Sequence, residues 1–115
     1  MSAITTHVLD TSSGRPAVGM SVLLERRSGP GGEWQAMGRG TTDADGRLRT
    51  LMPDTEPLAA GVYRLKFDTG RYFDAHDVQA FYPEVVVVFE ASPDDAYYHV
   101  PLLLGPFGYT TYRGS

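Results

Sequence analysis

The stretch Val62-Tyr63-Arg64-Leu65-Lys66-Phe67-Asp68-Thr69 (VYRLKFDT) decides the class of this chain. Tyr63, Leu65 and Phe67 fall on one side and Arg64 and Lys66 on the other, a strict period of two. That is the pattern of a strand with one face in a core and the other in water. Toward the N-terminus, MSVLLERRS (residues 20–28) repeats it, with Met20, Val22 and Leu24 on one face and charge at its end. WQAMGRGTT (34–42) follows after the Gly/Pro segment SGPGGE, a loop of hairpin length. The first strand is ITTHVLDT (4–11); the last three are EVVVVFEA (84–91), YHVPLLLG (98–105) and FGYTTYRG (107–114). DADG (Asp43 to Gly46) is a turn whose Asp side chains bond the local backbone. MPDTEPLAAG (52–61) reads as a longer loop. RYFDAHDVQAF (71–81) is the one stretch near helical spacing.

Seven or eight short strands with turns between them, and one short helix, predict an all-β antiparallel sandwich. At 115 residues, the chain is expected to form a single domain over residues 1–115. The net charge of -4 and pI near 5.2 argue against nucleic acid or an anionic membrane as partner, since both need a basic footprint. There is no cysteine, hence no disulfide and no thiolate chemistry. MSAITTHVLD carries neither a basic nor an apolar leader region, and the expected location is cytoplasmic. VVVVF (Val85 to Phe89) is uncharged, free of proline and strongly β-forming. It is either a central strand or an edge that a second subunit covers, and the small core favours a homo-oligomer.

The candidate chemistry is sparse. His7 shares a strand face with Thr5 and Leu9, opposite Thr6 and Val8. His99 shares one with Pro101 and Leu103, opposite Val100, Leu102 and Leu104. The two histidines meet if the first and penultimate strands are neighbours; spacing alone favours two unrelated residues. His76, between Asp74 and Asp77, reads as solvated. No metal is expected: HxH, HExxH and cysteine are all lacking, and in the calcium-loop-like TTDADG segment Met52 stands where the closing Glu belongs. GPGG opens no helix and so cradles no phosphate. Arg47 follows the DADG turn at a strand start. Ser115 lacks the strained elbow of an activated serine nucleophile.

HVLDTSSGRPA (His7 to Ala17), TDADGR (Thr42 to Arg47) and YHVPLLLGPFGYTTYRGS (Tyr98 to Ser115) resemble the signatures of the transthyretin-like 5-hydroxyisourate hydrolases. The final Tyr-Arg-Gly-Ser is the mark that separates these hydrolases from the hormone-carrying transthyretins. One departure is Gly105, where the family more often has Ser. The resemblance implies a transthyretin-like sandwich of two four-stranded sheets with one short helix. It also implies a tetramer built as a dimer of dimers, with active sites where the dimers meet, on the outer face of the sheet holding the first and last strands.

The activity implied is hydrolysis of 5-hydroxyisourate, a purine-derived small molecule, in urate degradation. Neither a cofactor nor a metal is implied. His7 and His99 would be the acid and base, Arg47 would orient the substrate, and Tyr112, Arg113, Gly114 and Ser115 would line and close the pocket. The alternatives are a carrier of a flat aromatic ligand in a transthyretin-type channel and a plain interaction domain; neither gives a role to the histidines or Arg47.

Overall fold

The computed structural model describes residues 3–53 and 57–115. Its elements are β1 (Ile4–Asp10), β2 (Arg15–Pro16), β3 (Ser21–Arg27), β4 (Trp34–Thr41), β5 (Arg47–Leu48), β6 (Gly61–Phe67), α1 (Thr69–Ala75), β7 (Val85–Ala91), β8 (Tyr98–Leu104) and β9 (Tyr109–Thr111). One sheet runs β2-β1-β8-β9, and the other runs β4-β3-β6-β7. The two-residue β5 joins the first sheet by pairing with β1 through Thr6 and His7, while β2 pairs with Leu9 and Asp10 further along. The expected sandwich of two sheets is therefore present, with β5 as an additional short segment on β1. The long loop predicted over 52–61 falls where no strand is described, and its residues 54–56 lie outside the described residues.

The period-two faces meet in the middle. Tyr63, Leu65 and Phe67 of β6 are fully buried, as are Val8 of β1, Leu24 of β3 and Leu102 of β8. The buried Tyr63 hydroxyl donates to the carbonyl of Ala59 at 2.6 Å, which satisfies a polar group that burial would otherwise penalise. On the outer face of the second sheet, Arg64 pairs with Glu25 at 2.7 Å and lies over the Trp34 ring, as the alternation demands.

Three expectations need correction. The sandwich is not wholly antiparallel: β1 and β8 run parallel, with Thr5 opposite His99 and His7 opposite Pro101. Parallel neighbours need a long crossover, and here it passes through the entire second sheet. The helix predicted over 71–81 spans Thr69–Ala75 instead. It stops because Asp77 takes a left-handed backbone (φ 55°). The amide of Asp77 bonds the Asp74 carbonyl and that of Val78 the Phe73 carbonyl, a Schellman closure with Asp in the position glycine usually fills. The last strand is shorter than FGYTTYRG. The ladder holds from Leu102–Thr111 to Leu104–Tyr109 and touches once more at His99–Gly114. In that register Pro101 faces Tyr112, and proline has no N–H to donate, so the ladder skips there.

The second sheet ends on β7. VVVVF is thus an edge strand of this chain and not a central one. Val88 is 57% exposed and Val86 36%, an apolar surface on an unblocked edge.

Candidate active site

The candidate site is a grid on the outer face of the first sheet. Along one row, Arg47 of β5 faces His7 of β1, which faces Pro101 of β8. Along the next row, Thr5 of β1 faces His99 of β8, which faces Gly114 of the tail. His7 and His99 are diagonal neighbours across the β1–β8 pair. Sheet geometry sets such Cα atoms about 8 Å apart, within joint reach of one small molecule.

The DADG turn fixes Arg47. The Asp43 carboxylate accepts from the amides of Asp45 (2.8 Å) and Arg47 (3.0 Å), and these bonds hold its carboxyl below the ordinary range. Gly46 has φ 75°, and a Cβ there would lie 2.5 Å from the Val8 carbonyl oxygen. Only glycine lets the turn press against β1, where the Val8 amide bonds the Gly46 carbonyl at 2.8 Å. That contact delivers Arg47 to His7.

Each imidazole is held at one nitrogen. His7 Nε2 lies 2.9 Å from the Asp45 carbonyl oxygen. A carbonyl only accepts, so Nε2 carries a proton and Nδ1 is the ring nitrogen left to face a ligand. His99 Nδ1 lies 2.8 Å from Thr5 Oγ1, which is 3.0 Å from the Tyr97 hydroxyl. Burial first, then the neighbouring Arg47, His7 and Arg49, hold the His99 imidazole below the ordinary histidine value. On the other flank of the His99 ring sits Gly114, whose amide donates to the His99 carbonyl at 2.8 Å. His7, Arg47 and His99 are each half-buried. A hollow of about 640 Å³ opens over β3, β4 and β6, rimmed by Arg39, Lys66 and Glu84, and holds none of these residues. The residue chemistry outweighs the size of that hollow as a pointer to the site, because the lining of the hollow offers no imidazole to move a proton.

The profile of the HIUase/Transthyretin family matches residues 4–114. The chain belongs to this family. A 5-hydroxyisourate hydrolase from Caulobacter vibrioides is 47% identical over 119 residues, covering 100% of both chains. Among solved structures, a 5-hydroxyisourate hydrolase from Klebsiella pneumoniae superposes with a TM-score of 0.84 at 33% identity, covering 99% of this chain and 100% of the other. The transthyretin from Sparus aurata superposes with a TM-score of 0.89 at 32% identity, covering 99% and 97%. Within this family the backbone is shared by hydrolases and transthyretins alike, and side chains must tell them apart.

The family tail divides in two. Gly114 lies against His99, and Ser115, exposed, follows it. Tyr112 and Arg113 line a cleft of about 240 Å³ between β7 and β8, with Val88, Phe89 and Tyr98. The Arg113 guanidinium stacks 4.5 Å from the Tyr98 ring centroid and sits 3.5 Å from the Asp95 carboxylate. Within one chain, then, the structure gathers His7, Arg47, His99 and Gly114 on one face, with Tyr112 opposite Pro101 at the end of the first row, and packs Arg113 on Tyr98. His76 is exposed, its Nδ1 donating to the Tyr72 carbonyl at 2.8 Å. Thr5 and Tyr97 were missed as site residues. Thr5 was legible as a face-mate of His7, but its place opposite His99 needed the parallel register.

Proposed function

We propose that this protein is a hydrolase that opens the ring of 5-hydroxyisourate in urate degradation, giving 2-oxo-4-hydroxy-4-carboxy-5-ureidoimidazoline. The observation that carries the reading is the convergence of two imidazoles and one guanidinium on a single sheet face in a chain of this family. Water must lose a proton as its oxygen attacks the ring carbonyl. The C–N bond then breaks, the carbonyl carbon becomes a carboxylate, and the departing nitrogen takes up a proton. An imidazole pair suits both transfers near neutral pH. His99, whose charged form its surroundings disfavour, is the better base, and delivery of the proton to the departing nitrogen falls to His7. The planar fork of Arg47 binds the anionic heterocycle and the oxyanion that develops on it. The chemistry needs no metal, because the strained ring already carries an electrophilic carbonyl.

The assembly proposed is a homotetramer, a dimer of dimers. The exposed valines of the β7 edge call for cover by other copies of the chain. In that assembly Gly114 and Ser115 border the pocket. Tyr112, at the end of the row that holds Arg47 and His7, lines the pocket, and Arg113, stacked on Tyr98, closes it from the tail. No helix among the described residues is long and apolar enough to cross a membrane; the proposed compartment is the cytoplasm.

A second reading, a carrier of a flat aromatic ligand, draws on the close superposition with a transthyretin. Freshly made 5-hydroxyisourate separates the two. Faster decay of its ultraviolet band with the protein, without added metal, supports the hydrolase. Decay at the buffer rate refutes it and leaves the carrier.

A further inference from the structure

The hydroxyl behind His99 has no part in the reaction as described so far. Thr5 is 2% exposed, and its Oγ1 is shared between His99 Nδ1 at 2.8 Å and the Tyr97 hydroxyl at 3.0 Å. The Thr5 side chain lies on the outer face directly opposite His99 in the parallel ladder. A buried hydroxyl has one proton to give and two lone pairs to offer. Either hydroxyl of this pair can donate; Tyr97, 38% exposed, has solvent for its own proton, so the buried Thr5 is the one that needs the other's oxygen as acceptor. That spends the Thr5 proton and leaves a lone pair aimed at His99. On the other side of the ring, a Cβ at Gly114 would stand 2.5 Å from His99 Cδ2, so the tail bears directly on that edge. With Nδ1 bonded and Cδ2 blocked, Nε2 remains, and it has no hydrogen-bond partner among the described residues.

We propose that Thr5 is a positioning residue for His99: its hydroxyl, oriented by Tyr97, accepts the Nδ1 proton and so leaves the Nε2 lone pair free for the attacking water. The inference rests on the hydrolase reading and deepens it by naming which nitrogen works. The arrangement suits a base in both of its states. Neutral His99 gives Nδ1–H to Thr5, and after taking the water proton at Nε2 it still does, so the clamp does not rearrange during the step. Exchange of the proton at Nδ1 through the two hydroxyls would also connect the ring to solvent. The charged groups facing His99 are Arg47 on β5, Arg49 just after it, and His7 on β1. The arginines only donate, and the partner that meets His99 Nδ1 is Thr5 Oγ1.

The test uses the full chain with Thr5→Val, Thr5→Ser and Tyr97→Phe. Valine keeps the shape and removes the hydroxyl; serine keeps the hydroxyl. Partners that orient a functional imidazole are typically worth about 10–100-fold. The expected result is a fall of that size in kcat for Thr5→Val with KM little changed, rescue by Thr5→Ser, and a smaller fall for Tyr97→Phe. Nitrogen-15 NMR of the imidazoles supplies a readout independent of turnover: neutral His99 is protonated at Nδ1 in the unaltered protein and a tautomer mixture in Thr5→Val. Wild-type kcat in folded Thr5→Val, or an Nε2-protonated ring in the unaltered protein, overturns the proposal. Should Thr5→Val fail to fold, the Tyr97→Phe kinetics and the wild-type spectrum decide it. If the unaltered protein has no hydrolase activity, the functional reading fails while the NMR result still judges the clamp.

Discussion

Gly114→Ala is a one-methyl change that tests whether the tail positions the His99 ring. The new Cβ would lie 2.5 Å from His99 Cδ2, 3.3 Å from Cγ and 3.2 Å from Pro101 Cγ. Ordinary carbon contacts begin near 3.5 Å, so the nearest approach is short by about 1 Å. Pro101 is buried and locked between β1 and β9 and cannot yield. Two ways out remain. The imidazole swings away, or the tail lifts and gives up the 2.8 Å bond from the Gly114 amide to the His99 carbonyl. Either one moves a site group by about 1 Å, and misplacement on that scale costs on the order of 100-fold in rate. Stability should change little, because Gly114 adds nothing to the core and one partly exposed hydrogen bond is worth about 1 kcal/mol. The assay is the decay of the 5-hydroxyisourate ultraviolet band at matched oligomer content, with the His99 ring signals followed by NMR. Gly108→Ala is the control, since a Cβ there meets nothing within 4 Å. Wild-type kcat/KM with unshifted His99 signals in Gly114→Ala would refute the argument that the tail sets the ring.

Other outcomes follow from the same geometry. His7→Ala and His99→Ala should each lower turnover by about 10²–10⁴-fold while the fold survives. In the unaltered protein, the acid limb of the kcat/KM profile should lie below about pH 6.5, because a base with a lowered folded pKa stays neutral until the pH falls through that value; a limb above it would contradict the base assignment. Arg47→Lys keeps the charge and loses the fork, and should cost about 2–4 kcal/mol of transition-state stabilisation, read as kcat/KM. Light scattering should give the mass of four subunits, and Val88→Lys should reduce it. Val88 is the clean site because its neighbour Val87 is buried, and a single-subunit mass for the unaltered protein ends the assembly proposal. Tyr72→Phe removes the 2.8 Å bond to Asp10 Oδ2. Burial works to raise the Asp10 carboxyl, but bonds from Ser12, Tyr72 and Ser13 outweigh it and hold it low. Asp10 therefore stabilises the fold above its unfolded value near 3.8, and that contribution is lost as pH falls through the folded value. The variant should lose about 1.5–3 kcal/mol and begin acid unfolding at higher pH in a melting series.

Alternation was enough to identify the strands. Tyr63, Leu65 and Phe67 had to share a face because a strand has a period of two, and that holds whatever the strand pairs with. The same local rule put His7 beside Thr5 and His99 beside Pro101, and the DADG turn before Arg47 was legible because its bonds are local. The end of α1 was not: a left-handed Asp77 looks like any other aspartate until its backbone is known. Neither was the place of Pro101, whose missing N–H breaks a ladder only because β9 lies on that side. Above all, the sequence says nothing about the direction in which β1 meets β8. Strand pairing is non-local, and a shift of one residue would have turned His7 or His99 into the core. The parallel register alone sets Thr5 against His99, His7 diagonal to it, and Gly114 on the far side of the ring. Which faces exist is written in each strand by itself; which residues meet across them depends on contacts between the two ends of the chain, and only the folded sheet decides those.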